Sequence, residues 1–121
     1  MREILFRGKD IKSNWHIGLL AHIGNAWYIS NSAGMATAFE VIPATIEQYT
    51  GLTDKNGIKI FEGDIVSISG ELEGIYVCVW EEHNFEYEFD NKTMSFGLAC
   101  VHSDDIKVIG NIYDDVEPLK H

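Results

Sequence analysis

Residues 48–66 read QYTGLTDKNGIKIFEGDIV, and this stretch decides the fold class. Its first residues, Tyr49 and Thr50, favour extended backbone. Asp54-Lys55-Asn56-Gly57 then forms the clearest turn in the chain. An Asp side chain hydrogen-bonds nearby backbone, and Asn-Gly supplies positive φ at low steric cost. Ile58 and Ile60 follow in alternation with Lys59 and Phe61. Glu62-Gly63-Asp64 marks a second reversal or bulge before Ile65-Val66-Ser67-Ile68. Short strands separated by tight turns are the grammar of an antiparallel sheet.

The same grammar runs outward in both directions. Towards the N-terminus, strands are expected at 3–8, 15–20 and 26–30, with a polar hairpin loop at 9–14 and a small-residue loop at 31–37. Phe39-Glu40-Val41-Ile42 runs into Pro43, a residue of strand edges and bends. Thr45 and Gln48 have the spacing of a helix-capping box, but the β-branched company of Val41, Ile42, Ile46 and Thr50 favours a strand entering a turn. Towards the C-terminus, 75–80 is a strong strand. Phe85, Tyr87 and Phe89 alternate with Glu86, Glu88 and Asp90, which predicts a half-buried strand with aromatics inward and acids in water. Residues 94–101 are expected to add another strand, Ser103-Asp104-Asp105 a turn or cap, and 106–113 a closing strand bulged at Gly110. The prediction is a mainly β protein with little helix. Residues 1–121 form a single domain of short antiparallel strands in a barrel-like or strongly curled sheet, with a tail from about residue 114.

Composition narrows the class. The chain has 121 residues, 45% hydrophobic and 23% charged, which suits a folded domain with a real core. No apolar run is long enough for a membrane helix. The opening Met1-Arg2-Glu3-Ile4-Leu5 lacks the basic start and long apolar core of a signal peptide, so a cytoplasmic protein is expected, with Cys78 and Cys100 reduced. Nineteen acids against nine Lys or Arg give a formal charge of -10, and residues 62–91 hold nine acids with no Lys or Arg. Phosphate backbones are repelled by such a surface. A direct nucleic-acid contact would need a patch such as Arg2, Arg7, Lys9 and Lys12, too thin to set against that field. The aromatics Trp15, Trp27, Trp80 and the 85–89 stripe read as core, because base-stacking sites sit beside basic groups.

Three ordered blocks carry a resemblance to a known family. They are Arg2-Glu3-Ile4-Leu5-Phe6-Arg7, the run from Gln48 to Val66, and Val108-Ile109-Gly110-Asn111-Ile112-Tyr113. Together the chain resembles the YopX family of bacteriophage and prophage proteins. The resemblance implies a β-rich phage accessory protein in a bacterial host cell, able to self-associate. It brings no catalytic residues with it, since the family has no established biochemical activity.

The chemistry-bearing residues each have a plain structural use as well. The Asp54 turn is no calcium loop, because Ile58 and Ile65 stand where oxygen ligands are needed. Glu62 and Asp64 share one face of an extended segment and could position Mg²⁺ or act as acid and base. The simpler expectation is that Glu62 anchors a charged interaction while Asp64 holds the turn through backbone hydrogen bonds. His16, His22, His83, His102 and His121 are scattered, with no zinc spacing. Cys100 and His102 would share a face if they lay on one strand, as a nucleophilic pair requires. No phosphate loop occurs, and Asn91-Lys92-Thr93 is a glycosylation sequon without a cytoplasmic use. No catalytic, cofactor or metal residue is assigned. The reading is a noncatalytic accessory protein working through protein contacts or self-assembly. Its alternatives are an acidic decoy of nucleic acid for a basic host protein, and a small metal-dependent enzyme using Glu62 and Asp64.

Overall fold

The structure is a computed structural model and describes residues 4–30 and 37–114. It is almost entirely antiparallel β, and the chain divides into two compact units, Met1–Tyr49 and Thr50–His121. The loop expected at 31–37 and the tail expected from about 114 fall almost wholly outside the described residues.

The first unit holds β1 (Phe6–Lys9), β2 (Trp15–Ile23), β3 (Ala26–Ser30) and β4 (Ala38–Val41), in the hydrogen-bonded order β4-β3-β2-β1. Asp10 shapes the β1–β2 turn by accepting the Lys12 and Asn14 amides on Oδ1 at 2.8 and 3.0 Å. After Val41 a single 3-10 turn, Pro43–Thr45, breaks the extended run that the β-branched residues suggested. The Thr45 hydroxyl explains the break, donating to the Ile42 carbonyl at 2.6 Å while accepting the Lys9 amide at 2.9 Å. β5 (Glu47–Thr53) then begins, and its first residues pair with β1. Ile29 and Val41 are fully or almost fully buried in this unit.

β5 runs across the boundary, and β6 (Lys59–Phe61) follows it in sheet order. The second unit's own sheet contains β7 (Asp64–Ile68), β8 (Gly74–Glu81), β9 (Glu86–Asp90), β10 (Ser95–Gly97) and β11 (Ile106–Asn111), ordered β10-β9-β8-β7-β11. Its core gathers Ile60, Val66, Ile68, Tyr76, Cys78, Tyr87, Phe89 and Ile106. β11 is bulged between Val108 and Gly110, as its glycine suggested. The strand expected over 94–101 is shorter, ending at Gly97 in a 3-10 turn, Leu98–Cys100. Phe85 lies outside β9 at φ 52 and is 79% exposed, while Glu88 is buried instead of facing water.

The barrel-like or strongly curled sheet is overturned. Both sheets are open, with β10 and β11 left as edges of the second. A barrel needs its last strand to pair with another. β11 pairs with β7 alone among the described residues, and its other edge meets a turn: Lys55 N–H donates to the Ile106 carbonyl and Val108 N–H donates to Asp54 Oδ2, both at 2.9 Å. A side chain and a loop amide thus occupy the groups that a closing strand would have used.

Candidate functional site

The two turns that drew attention in the sequence are built around buried carboxylates. Asp54 is 3% exposed and accepts three backbone amides: Asn56 and Ile58 on Oδ1 at 2.8 and 2.9 Å, and Val108 on Oδ2. Of the Asn-Gly pair only Gly57 takes positive φ, at 80°, which is enough to close the hairpin. Burial pushes the Asp54 carboxyl upward, but the Val108, Ile58 and Asn56 amides and the Lys55 charge outweigh it and hold it below its ordinary range.

Asp64 is 1% exposed and accepts the Phe61 amide on Oδ2 at 2.8 Å and the Asn111 side-chain amide on Oδ1 at 3.1 Å. The backbone role expected of it is therefore present. Between them Gly63, at φ 89, donates to the Cys78 carbonyl at 2.8 Å and accepts the Ile112 amide at 3.0 Å. Glu62 behaves otherwise. The charged interaction expected of it is missing: it makes no hydrogen bond or ion pair with the described residues. Burial raises its carboxyl above the ordinary range by desolvating the charged form.

Among the described residues, no group of three or more His, Cys, Asp or Glu could hold a metal ion. Cys100 and His102 do not share a strand, because Cys100 ends one 3-10 turn and His102 caps the next. Both line a cavity of about 300 Å³ with Glu71 and Asp105, yet the two make no hydrogen bond with each other. His102 instead accepts the Asp104 amide on Nδ1 at 3.2 Å. Neither cysteine is in a disulfide; Cys78 is buried and Cys100 exposed.

Two of the basic residues considered for nucleic acid, Arg7 and Lys9, have partners of their own. Arg7 Nε donates to Glu47 Oε1 at 2.7 Å, and its guanidinium lies 4.6 Å from the centre of the Trp15 ring. The Lys9 ammonium lies 5.3 Å from the same ring. Arg2 falls outside the described residues. Charge is also unevenly shared. The first unit has four acids and four Lys or Arg, whereas the second has fifteen acids and five Lys.

The convergence of these motif blocks has a family counterpart. The profile described as YopX protein matches residues 7–120. The chain belongs to the YopX family. The match spans both units and contains the Asp54 turn, the Glu62-Gly63-Asp64 reversal and the Asn111 strand. In this YopX chain the residues that carried the resemblance are pins of the fold, with Asp54 reaching Val108 and Asp64 reaching Asn111. No curated protein matches the chain.

Sequence reasoning missed one surface. Along β8, Ile75, Val77 and Val79 point away from the core occupied by Tyr76 and Cys78, and the register sets Val77 beside Asp90, Val79 beside Glu88 and Glu81 beside Glu86. Glu86 is raised by desolvation, by its hydrogen bond with Glu88 and by the charges of Glu88 and Glu81. The continuous apolar run at 75–79 carried the only signal, since a strand with just one face in a core should alternate.

Proposed function

We propose that this YopX-family chain is a noncatalytic phage or prophage accessory protein that works by protein–protein contact in the bacterial host cell. The observation that carries this reading is the use of Asp54 and Asp64. Both carboxylates are buried and committed to backbone and amide donors, so their strength goes into holding turns and a sheet edge. A general base or metal ligand needs lone pairs directed at a substrate or ion. The family match across residues 7–120 supports treating the two units as one functional domain.

A second reading, an acidic decoy for a basic nucleic-acid-binding protein, is favoured by the fifteen acids and five Lys of the second unit. It requires association that weakens steeply with salt, because exposed charges are screened beyond about 8 Å at physiological ionic strength.

The test is affinity capture of the tagged protein from host cells carrying the phage or prophage, with light scattering of the purified chain. A stoichiometric partner or a defined homo-oligomer supports the contact reading. A monomer that captures nothing refutes it.

A further inference from the structure

We infer that an apolar groove on the outer face of the second unit's sheet docks a cationic segment of another protein, one that alternates Lys or Arg with aliphatic side chains. The inference rests on the protein-contact reading above and gives it a place and a partner chemistry. The groove encloses about 430 Å³, and Ile75, Val77, Val79 and Ile112 form its apolar lining. Ile75 is 54% exposed and Ile112 44% exposed, a large aliphatic surface to leave in water.

Charge selects the occupant. Asp90 lies in the groove wall, and Glu88, Glu86 and Glu81 continue the same face in register. Desolvation and the charges of Glu88 and Glu81 raise the Glu86 carboxyl, and an incoming cation relieves the repulsion. Lys92 also lines the groove, but a single ammonium does not reverse the sign set by four carboxylates. Nucleic acid and anionic lipid surfaces are repelled by this unit's excess of acids. A second copy would bring the same acids to the contact.

Spacing selects the form of the segment. Neighbouring strands lie about 4.8 Å apart, and same-face residues repeat about every 6.8 Å along a strand. An extended segment along β8 sets every second side chain, aliphatic, on Val77 and Val79, and the long stems of the Lys or Arg between them fold back to bring their charges to Asp90 and Glu86.

The probe is a short synthetic peptide alternating Lys and Leu, with a Ser-for-Leu version and a Glu-for-Lys version as controls. Binding is measured against the wild type, Val77→Thr, Asp90→Asn and, away from the groove, Asp104→Asn. Each variant is first shown to melt like the wild type. Val77→Thr and Asp90→Asn should each weaken binding about tenfold, the effect of losing a central contact. Asp104→Asn should stay within about twofold, and neither control peptide should bind. Equal losses at Asp90 and Asp104, or full binding of the Ser version, would reduce the effect to diffuse charge and overturn the groove. So would a wild-type dimer that Val77→Thr makes monomeric, since that puts a second copy in the groove. If a captured cellular partner still bound both groove variants, the groove would fail while the protein-contact reading stood. Capture of nothing by a monomeric wild type would remove both.

Discussion

Asn111 donates its side-chain amide to Asp64 Oδ1 at 3.1 Å, joining residues 47 apart in the chain. The other Asp64 oxygen accepts the Phe61 amide, and Asn111 Oδ1 accepts the Tyr113 amide at 2.7 Å. A turn between β6 and β7 is thereby tied to the end of β11. Both side chains are nearly inaccessible, Asp64 at 1% and Asn111 at 6%, so each depends on the other for partners that water does not supply.

Removing either member should leave buried polar groups without their partner. Asp64→Ala should cost about 3 kcal/mol and Asn111→Ala about 2 kcal/mol in urea unfolding. The double variant should cost less than the two together, with a coupling of about 1 kcal/mol. Strict additivity would show that the contact does not link the turn to β11.

Much of the local structure was legible because its causes are local. The Asp54 turn closes through bonds spanning two and four residues, and β9 keeps Tyr87 and Phe89 in the core as alternation required. The open sheets were not legible. Their edge is blocked by the bond from Val108 to Asp54, residues 54 apart, and no periodicity reports a contact that distant. The partner expected for Glu62 is not found among the described residues for a similar reason, since an acid in a turn implies a cation nearby only if the fold brings one there. Glu88 misled because strand alternation assigns a face, not its exposure, and Asn84 reaches over to its carboxylate at 3.4 Å.

Gly8 measures packing between strands of the first unit. A Cβ added there would lie 3.0 Å from Val41 Cβ, tighter than an ordinary contact. Gly8→Ala should therefore destabilise by about 1–2 kcal/mol. Adding Val41→Ala should recover part of that loss relative to the sum of the single variants. A Gly8→Ala protein as stable as the wild type would mean that β4 yields without strain.

The two thiols should react in sequence. Exposed Cys100 should be labelled by an aromatic disulfide reagent in the native protein, while Cys78, at 0% exposure, should wait for unfolding. The second thiol's labelling should accelerate with urea. Immediate reaction of both would contradict the buried position of Cys78 in the second unit's core.

Glu62 should destabilise the fold at neutral pH. Its folded-state carboxyl is raised above the unfolded value by desolvation, so ionisation is easier in the unfolded chain and favours it. Glu62→Gln should move the urea midpoint upward at pH 7, with the gain shrinking as pH falls through the raised folded value and gone below the unfolded value of about 4.5. A downward shift at pH 7 would reveal a stabilising partner for the charge.

Asp54 should have the opposite sign. Its folded-state carboxyl lies below the unfolded value of 3.8, held there by amide donors against the cost of burial. The unfolded chain therefore binds a proton first, and the carboxylate's contribution is complete above that value and lost as pH falls through the lowered folded one. In Asp54→Asn the amide nitrogen must face one of the three backbone donors, since a single oxygen remains. That variant should lose about 2 kcal/mol at pH 7, and its stability should fall less steeply than the wild type's below pH 4. The β11 edge should respond as well: hydrogen exchange at the Val108 amide should quicken by more than global destabilisation accounts for, because that N–H loses its acceptor. Unchanged protection of Val108 relative to its neighbours would mean that the Asp54 carboxylate closes its own turn without guarding the edge of the sheet.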